Sequence, residues 1–263
     1  MIEEHFATLD GHAVHYLAAG SGKPVVVFLS GWGCDASLWS EQAPVLAPRA
    51  RLLLVDLPGH GRSDKPDIAY TMSLFARAVN AVLDDAGVEK AAVAGHSMGA
   101  MVAYQFARDY PEKAAAVIWV DGACTIPIEI EKQIAGFQAR AKDLRGPQHR
   151  EKTLEFIDTL FIPETPEAVR EEVRREIMAT PQHVLASCIE NFADRALFEP
   201  AVLDVPAFAI FCEFWHPERF VDIFRKCLPR IEYEFLKGSG HYPMLEKPAE
   251  TNAALLRMIG KIG

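Results

Sequence analysis

Short apolar runs that do not alternate with polar residues recur along the first half of the chain, and helical patterns separate them. The runs lie at residues 24–29, 51–55, 90–94 and 115–120, and the helical patterns at 36–46, 73–86 and 98–109. Strands of this composition are covered on both faces, which is typical of a parallel sheet between two layers of helices. Strand–helix alternation also predicts right-handed crossovers. The sequence therefore predicts an α/β fold with a mostly parallel, doubly wound sheet.

The two ends of the chain carry further sheet patterns. Residues 3–9 and 12–19 flank an Asp10-Gly11 turn and predict a β-hairpin. Apolar runs return at 206–212 and 231–236, and an amphipathic helix is predicted at 248–259. These segments extend the predicted sheet beyond its first six strands.

Residues 122–203 interrupt this alternation, because they contain no strand pattern. Helical stretches are predicted near 128–143, 148–160, 166–179 and 181–193, separated by Gly146-Pro147 and by further prolines. We therefore expect a core domain at 1–121 and 204–263, with a helical cap at 122–203 inserted after the sixth strand.

The net charge and the cysteine pattern limit the kinds of partner and cofactor that this chain is expected to bind. A net charge of −9 leaves no basic excess to neutralise phosphates, which argues against nucleic acid as a partner. No apolar run reaches the roughly 18 residues of a membrane span, and the first residues lack the order of a signal peptide. The five cysteines form no CxxC motif, so neither a disulfide framework nor a zinc site is predicted. We expect a cytoplasmic protein that acts on a small molecule without a cofactor or metal; its oligomeric state stays open.

The motif with the clearest chemistry lies at residues 95–99 (GHSMG), between a predicted strand and a predicted helix. It matches the G-x-S-x-G pattern of a nucleophile elbow, which requires that strand–turn–helix context. Ser97 would project at the helix N-terminus, where backbone N–H groups favour negative charge. The pattern predicts Ser97 as a nucleophile.

A base for Ser97 is predicted near the other end of the chain. His241 lies in the segment 238–243 (GSGHYP), between the last predicted strand and the last predicted helix. A histidine that follows the serine at this place in the chain has the order of the same architecture. His241 would take the Ser97 proton and later return it to the leaving group.

An oxyanion hole needs two N–H donors aimed at one point. The first candidate is the backbone N–H of Met98, which directly follows the predicted nucleophile. The second is the backbone N–H of Trp32, in the loop after the third strand.

Together these segments resemble the α/β-hydrolases of the esterase, perhydrolase and cofactor-free haloperoxidase branch. The resemblance implies the α/β-hydrolase fold, a cap at 122–203, and cofactor-free hydrolysis of esters and related bonds. One departure is Ser30 before Gly31, where the family commonly has histidine. The matching stretches are 31–33 (GWG), 56–63 (DLPGHGRS), 95–99 (GHSMG) and 240–248 (GHYPMLEKP).

The acid of the triad is a larger departure from the family pattern. In the family the acid follows the seventh strand, about nine residues after its leading proline, and counting from Pro206 reaches Trp215, which carries no charge. Asp121 ends the sixth strand, and some members of the fold take their acid from that place. Glu213 lies on the usual loop, two places early, and is the alternative. The acid would orient the imidazole and stabilise its charged form.

The predicted cap and loops are rich in aromatic residues, which favours a mostly apolar acyl or aryl substrate. Candidate pocket residues are Trp215, His216, Phe137 and Phe161. Two other functions stay open, because one fold serves many. The first is a cofactor-free 2,4-dioxygenase acting on a 3-hydroxy-4-quinolone-type N-heteroaromatic compound, since that group shares the position of the acid. The second is a non-catalytic ligand sensor that keeps the triad and cap as a binding pocket.

Overall fold

The strands of the described residues form a single sheet in a computed structural model that covers residues 2–124, 128–199 and 201–262. The spatial order is β1-β2-β4-β3-β5-β6-β7-β8. Strand β2 runs antiparallel to β1 and β4, and all other neighbours are parallel. The predicted, mostly parallel sheet is confirmed. The strands are β1 (Ile2–Leu9), β2 (His12–Ala19), β3 (Val25–Leu29), β4 (Arg51–Val55), β5 (Ala91–His96), β6 (Ala114–Val120), β7 (Ala207–Phe211) and β8 (Ile231–Phe235).

Burial explains why the central strands lack alternation. Every residue of β5 and β7 is buried, because helices cover both faces of the sheet there. The edge strand β1 is largely exposed, and it pairs with β2 in the predicted hairpin, with Leu9 opposite His12. Asp10 and Gly11 have φ angles of 51° and 83°. Two positive φ angles in a two-residue loop match the right-handed twist of the strands, so the predicted hairpin is confirmed.

Helices fill both faces of the sheet and the long connection between β6 and β7. Those of the core are α1 (Ala43–Leu46), α2 (Met72–Asp85), α3 (Met98–Asp109), α8 (Pro217–Cys227), α9 (Pro243–Glu246) and α10 (Pro248–Ile259). The inserted helices are α4 (Ile130–Arg145), α5 (His149–Asp158), α6 (Glu167–Ala179) and α7 (Gln182–Asn191). Residues 125–127 and 200 of the predicted insertion lie outside the described residues.

Two helix predictions differ from the structure. The helix expected at 36–46 is instead a 3₁₀ turn, Ala36–Trp39, followed by α1. Pro44 has no N–H to donate, so it suits the first turn of α1 and not the interior of one long helix. The sequence analysis also does not predict α8, although a parallel connection from β7 to β8 requires a crossover of this kind.

The inserted helices pack against the loop that follows β3. Gly33 in this loop has a φ of 76°, and a Cβ added there would lie 2.8 Å from Cγ2 of Ile177 in α6 and 3.1 Å from Cδ2 of Leu185 in α7. Ile177 and Leu185 are themselves buried. The insertion therefore lies over the carboxyl edge of the sheet, where β3, β5 and β6 end.

The turn from β5 to α3 brings backbone segments into unusually close contact. A Cβ added at Gly95 would lie 2.0 Å from the carbonyl oxygen of Gly99, and one added at Gly99 would lie 2.5 Å from the carbonyl oxygen of Leu29. The obstructing atoms are backbone atoms that no rotamer change can move. Helix α3 therefore reaches its position against β3 only with glycine at both places.

We expect Gly99→Ala to lower the free energy of unfolding by about 3 kcal/mol, the upper range for overpacking a rigid site. Gly136→Ala is the matched control, because Gly136 lies inside α4 with nothing within 4 Å of an added Cβ. It should gain about 0.5–1 kcal/mol from helix propensity. Urea unfolding followed by circular dichroism measures the free energy of unfolding of both variants. Equal stability of the two would contradict a steric clash between a Cβ at position 99 and the backbone of β3.

Candidate active site

Three side chains from separate parts of the chain form one hydrogen-bonded row. Ser97 Oγ lies 2.9 Å from Nε2 of His241, and Nδ1 of His241 lies 2.7 Å from Oδ2 of Asp121. Ser97 follows β5, Asp121 follows β6 and His241 follows β8, and the carboxyl ends of these parallel strands meet at one edge of the sheet. Asp121 is 0% exposed and His241 is 2% exposed, whereas Ser97 is half-buried. The hydroxyl is thus the member of the row that a ligand could reach.

The backbone at Ser97 is held in an unfavourable conformation. Its φ is 52° and its ψ is −115°, a combination that non-glycine residues rarely adopt. The Ser97 N–H donates to the carbonyl of Val120 at the end of β6, at 3.3 Å. A Cβ added at Gly122 would lie 2.7 Å from the Ser97 nitrogen, so glycine is needed for this approach. The neighbouring strand therefore fixes a turn that projects the hydroxyl away from the sheet.

Asp121 is oriented by the strand beside it. Its N–H donates to Ile210 of β7 at 2.8 Å, and its Oδ1 accepts from the N–H of Cys212, also at 2.8 Å. Burial raises the pKa of Asp121, and backbone N–H groups of Cys212 and Trp215 act in the opposite direction. Trp215 occupies the place where the resemblance puts an acid, and here its backbone supports the acid on the neighbouring strand.

Glu213, the alternative acid, contacts a different part of the structure. Its Oε1 accepts from the N–H of Gly238 at 2.9 Å, and its own N–H donates to the carbonyl of Ser239 at 3.1 Å. These bonds fix the loop that precedes His241. Of the two candidate acids, Asp121 is therefore the one that the structure brings to the imidazole.

Burial favours the neutral form of the His241 imidazole. Burial lowers its pKa to about 3. In the neutral form a proton on Nδ1 is donated to Asp121, which leaves the Nε2 lone pair to accept the Ser97 hydroxyl. The carbonyl of His241 accepts from Nε2 of His96 at 2.7 Å, which ties the nucleophile turn to the histidine loop. The arrangement can remove a proton from Ser97.

The two candidate oxyanion donors flank Ser97. Met98 begins α3 directly after it, and Trp32 follows Gly31, where an added Cβ would lie 3.2 Å from Cβ of Ser97. The Ser30 hydroxyl, at the family's histidine position, donates to the carbonyl of Asp35 within the same loop. The Trp32 and Met98 backbones thus both lie close to Ser97, and their role as donors to an oxyanion stays a prediction.

The inserted helices form hydrogen bonds with the loop that follows β3. The indole N–H of Trp32 donates to the carbonyl of Leu185 at 3.0 Å, and the Thr180 hydroxyl donates to the carbonyl of Gly33 at 2.9 Å. The N–H of Asp35 donates to Oε1 of Glu176 at 2.7 Å. The insertion is therefore part of the scaffold of the site.

Each of the four predicted pocket residues has an aromatic partner. The ring contacts are Phe161 with Tyr242 at 5.9 Å, Phe137 with Phe192 at 5.6 Å, Trp215 with Phe220 at 5.3 Å, and His216 with Phe235 at 4.6 Å. Among them, Phe161 packs on the residue next to His241, and the partners of Trp215 and His216 lie on α8 and β8. That these four residues contact a substrate stays a prediction.

Two aromatic residues close to the site are not among the predicted pocket residues. The Phe214 ring lies 4.6 Å from the His241 ring and is 43% exposed. The Phe156 ring lies 5.3 Å from the Trp32 ring. Phe214 precedes Trp215 on a loop that the sequence analysis singles out, so its position could have been inferred. Phe156 belongs to an ordinary amphipathic helix and gives no such signal.

The described residues contain neither a cluster of metal-ligating side chains nor a membrane-spanning helix. Within 2–124, 128–199 and 201–262, no group of three or more His, Cys, Asp or Glu side chains could hold a metal ion. No helix in that part of the chain is long and apolar enough to cross a membrane.

Glu176, which holds the loop after β3, is also a half-buried acid. Burial raises its pKa to about 8, against the effect of the Asp35 N–H. Between the ordinary pKa near 4.5 and a folded pKa of about 8, the folded protein retains a proton that the unfolded chain releases. Stability therefore falls as pH rises through this window.

We expect Glu176→Gln to keep the acceptor for Asp35 while removing this penalty. The variant should match the parent near pH 4.5 and exceed it by about 1–3 kcal/mol at pH 9. Urea unfolding at a series of pH values measures the difference. A stability difference that does not change with pH would show that the carboxyl is ionised without cost in the folded protein.

Comparisons with known proteins extend these observations. The model of the alpha/beta hydrolase family matches residues 26–254. A stretch of 115 residues is 38% identical to the dihydrolipoyllysine-residue acetyltransferase component of the acetoin cleaving system of Cupriavidus necator, covering 44% of this chain but only 31% of that protein. The chain is 28% identical to a 2-hydroxy-6-oxononadienedioate/2-hydroxy-6-oxononatrienedioate hydrolase of Paraburkholderia phymatum, over 94% of this chain and 91% of that one. A thermophilic esterase from Thermogutta terrifontis has the same fold, with a TM-score of 0.87 and 22% identity over 99% of both chains.

Proposed function

The chain belongs to the alpha/beta hydrolase family of enzymes, and on that basis we propose that it is a serine hydrolase of carboxylic esters or related acyl compounds. The observation that carries the proposal is the continuous row from Ser97 through His241 to Asp121. A serine bonded to a neutral histidine, which is bonded in turn to a buried carboxylate, is the arrangement that activates a hydroxyl for acyl transfer.

The reaction takes place in two halves. Ser97 Oγ attacks the carbonyl carbon while Nε2 of His241 takes the hydroxyl proton, and Asp121 stabilises the imidazolium that forms. The backbone N–H groups of Trp32 and Met98 receive the negative oxygen. The tetrahedral intermediate then expels the alcohol, which takes the proton from His241. In the second half His241 deprotonates a water molecule, which attacks the acyl-enzyme. The intermediate then releases the acid, and the Ser97 oxygen takes the proton back from His241.

The surroundings of the row favour a mostly apolar acyl or aryl group. The Phe214 ring lies 4.6 Å from the His241 ring in a tilted arrangement and is partly exposed, and the Trp32 and Phe156 rings pack edge to face beside the proposed oxyanion hole. Aromatic walls around a few aimed polar groups are typical of small-molecule sites.

We expect Ser97→Ala to lower turnover of p-nitrophenyl butyrate by at least about 10⁴-fold, because the nucleophile is lost while the fold is retained. A fluorophosphonate probe should label the parent at Ser97 and leave the variant unlabelled, with circular dichroism as the control for folding. Full activity of the variant would contradict the proposal. Oxygen uptake with a 3-hydroxy-4-quinolone would then support the oxygenase, and binding without turnover would support the ligand sensor.

The proposed acid can be tested by a matched pair of substitutions. Asp121→Asn preserves size but favours the wrong imidazole tautomer, and we expect a loss of about 10³–10⁴-fold in kcat. Glu213→Gln keeps an acceptor for Gly238 and should change kcat by less than about threefold. Steady-state kinetics of both variants on the same ester measures the two losses in kcat. A larger loss in Glu213→Gln than in Asp121→Asn would assign the role of the acid to Glu213.

A further inference from the structure

The Glu246 carboxylate accepts hydrogen bonds from both sequence neighbours of His241, the proposed base. Glu246 ends α9, and its side chain turns back toward the histidine loop. Its Oε2 accepts from the N–H of Gly240 at 2.8 Å, and its Oε1 accepts from the N–H of Tyr242 at 3.0 Å. Gly240 and Tyr242 stand on either side of His241. Each carboxylate oxygen therefore holds one of the two neighbours of the base.

The loop is shaped for this contact. A Cβ added at Gly240 would lie 2.9 Å from Oε1 of Glu246 and 3.0 Å from Oγ1 of Thr165. Both distances are shorter than ordinary contacts of a Cβ. Glycine at this position lets the carboxylate approach the backbone directly before His241.

The inserted helices contribute to the same cluster. The Thr165 hydroxyl, which lies between α5 and α6 and is 4% exposed as a residue, donates to Oε2 of Glu246 at 3.1 Å. The N–H of His241 itself points at the carbonyl of Leu160, at 3.4 Å. The connection between α5 and α6 thus contacts both the base and the carboxylate that holds it.

These bonds restrict the position of the imidazole. The carbonyl of His241 is held by His96, the flanking N–H groups by Glu246, and Nδ1 by Asp121. Hydrogen bonds to an ionised acceptor are roughly twice as strong as neutral ones. Of the backbone contacts made by His241 and its two immediate neighbours, those to Glu246 are therefore expected to be the strongest.

The charge of Glu246 has a second effect on the base. Burial lowers the pKa of His241, and the negative charge of Glu246 acts in the opposite direction. Transfer of the Ser97 proton creates an imidazolium in a site that water scarcely reaches. A carboxylate close to its backbone stabilises that charge without contacting the reacting atoms.

We propose that Glu246 is a positioning residue that holds the His241 backbone so that Nε2 stays within reach of Ser97 Oγ, and that Thr165 links this hold to the inserted helices. The inference rests on the proposed hydrolase function, because it assigns Glu246 a role in the proton transfer between Ser97 and His241.

The test compares three single variants with the parent. Glu246→Gln preserves size, removes the charge and presents an amide N–H₂ to one of the two backbone N–H groups. We expect kcat on p-nitrophenyl butyrate to fall about 30–100-fold with KM unchanged within about twofold, since a displacement near 1 Å costs that much. Thr165→Val should lower kcat about fivefold, the effect of one hydrogen bond.

Glu213→Gln is the matched control, because Glu213 also accepts a backbone N–H of this loop, that of Gly238, but does not bracket His241. Its kcat should stay within about threefold of the parent. Urea unfolding of each variant separates positioning from stability. A loss of activity in Glu246→Gln that only follows its folded fraction, or one no larger than in Glu213→Gln, would overturn the proposal.

A spectroscopic readout makes the inference independent of ester turnover. The proton between His241 Nδ1 and Asp121 should give a downfield ¹H resonance in the parent and in Glu213→Gln, and the resonance should weaken or shift in Glu246→Gln. If the parent hydrolyses no ester, the proposed function fails, and this resonance alone decides the role of Glu246. An identical resonance in all variants would contradict that role.

Discussion

The close approach of three backbone segments at the carboxyl edge of the sheet is the constraint on which the rest of the site depends. Gly99 at the start of α3 lies against the end of β3, and Gly122 lies against the Ser97 nitrogen after β6. Because the obstructing atoms at these contacts are mostly backbone, the segments can meet in only one way. That contact sets Ser97 beside the Trp32 loop on one side and beside Asp121 on the other.

The sheet is predicted well from the sequence, and Ser97 and His241 are singled out by it as candidates, for a local reason in both cases. Non-alternating apolar runs identify buried parallel strands, and the G-x-S-x-G motif and the glycine-flanked His241 carry their own turn geometry. The acid could not be decided in this way, because Asp121 and Glu213 both follow strands that end at the same edge. Which of them reaches the imidazole depends on the turn after β6, where Asp121 has a φ of 40°. Aspartate adopts a positive φ more readily than most residue types, but its sequence neighbours do not show that it does so here.

The contacts of the inserted helices were beyond sequence reasoning for a related reason. The Trp32–Leu185 hydrogen bond joins residues 153 positions apart, and the Thr165–Glu246 hydrogen bond joins residues 81 positions apart. The sequence around each of these residues does not indicate its partner. Their consequence is that the insertion supports both the loop of the proposed oxyanion hole and the loop of the base. Substitutions within it can therefore alter the chemistry at Ser97 without touching a substrate.

The chain order of the row also bears on how the protein is made. Ser97 and His241 are 144 positions apart, and Asp121 and His241 are 120 apart. A ribosome therefore synthesises the turn of Ser97 and the carboxylate of Asp121 well before the imidazole that joins them. During that interval the Ser97 hydroxyl lacks the hydrogen bond to His241 that it has in the folded protein. Such distant pairing also slows folding, since loop-closure entropy must be overcome before the distant contacts form.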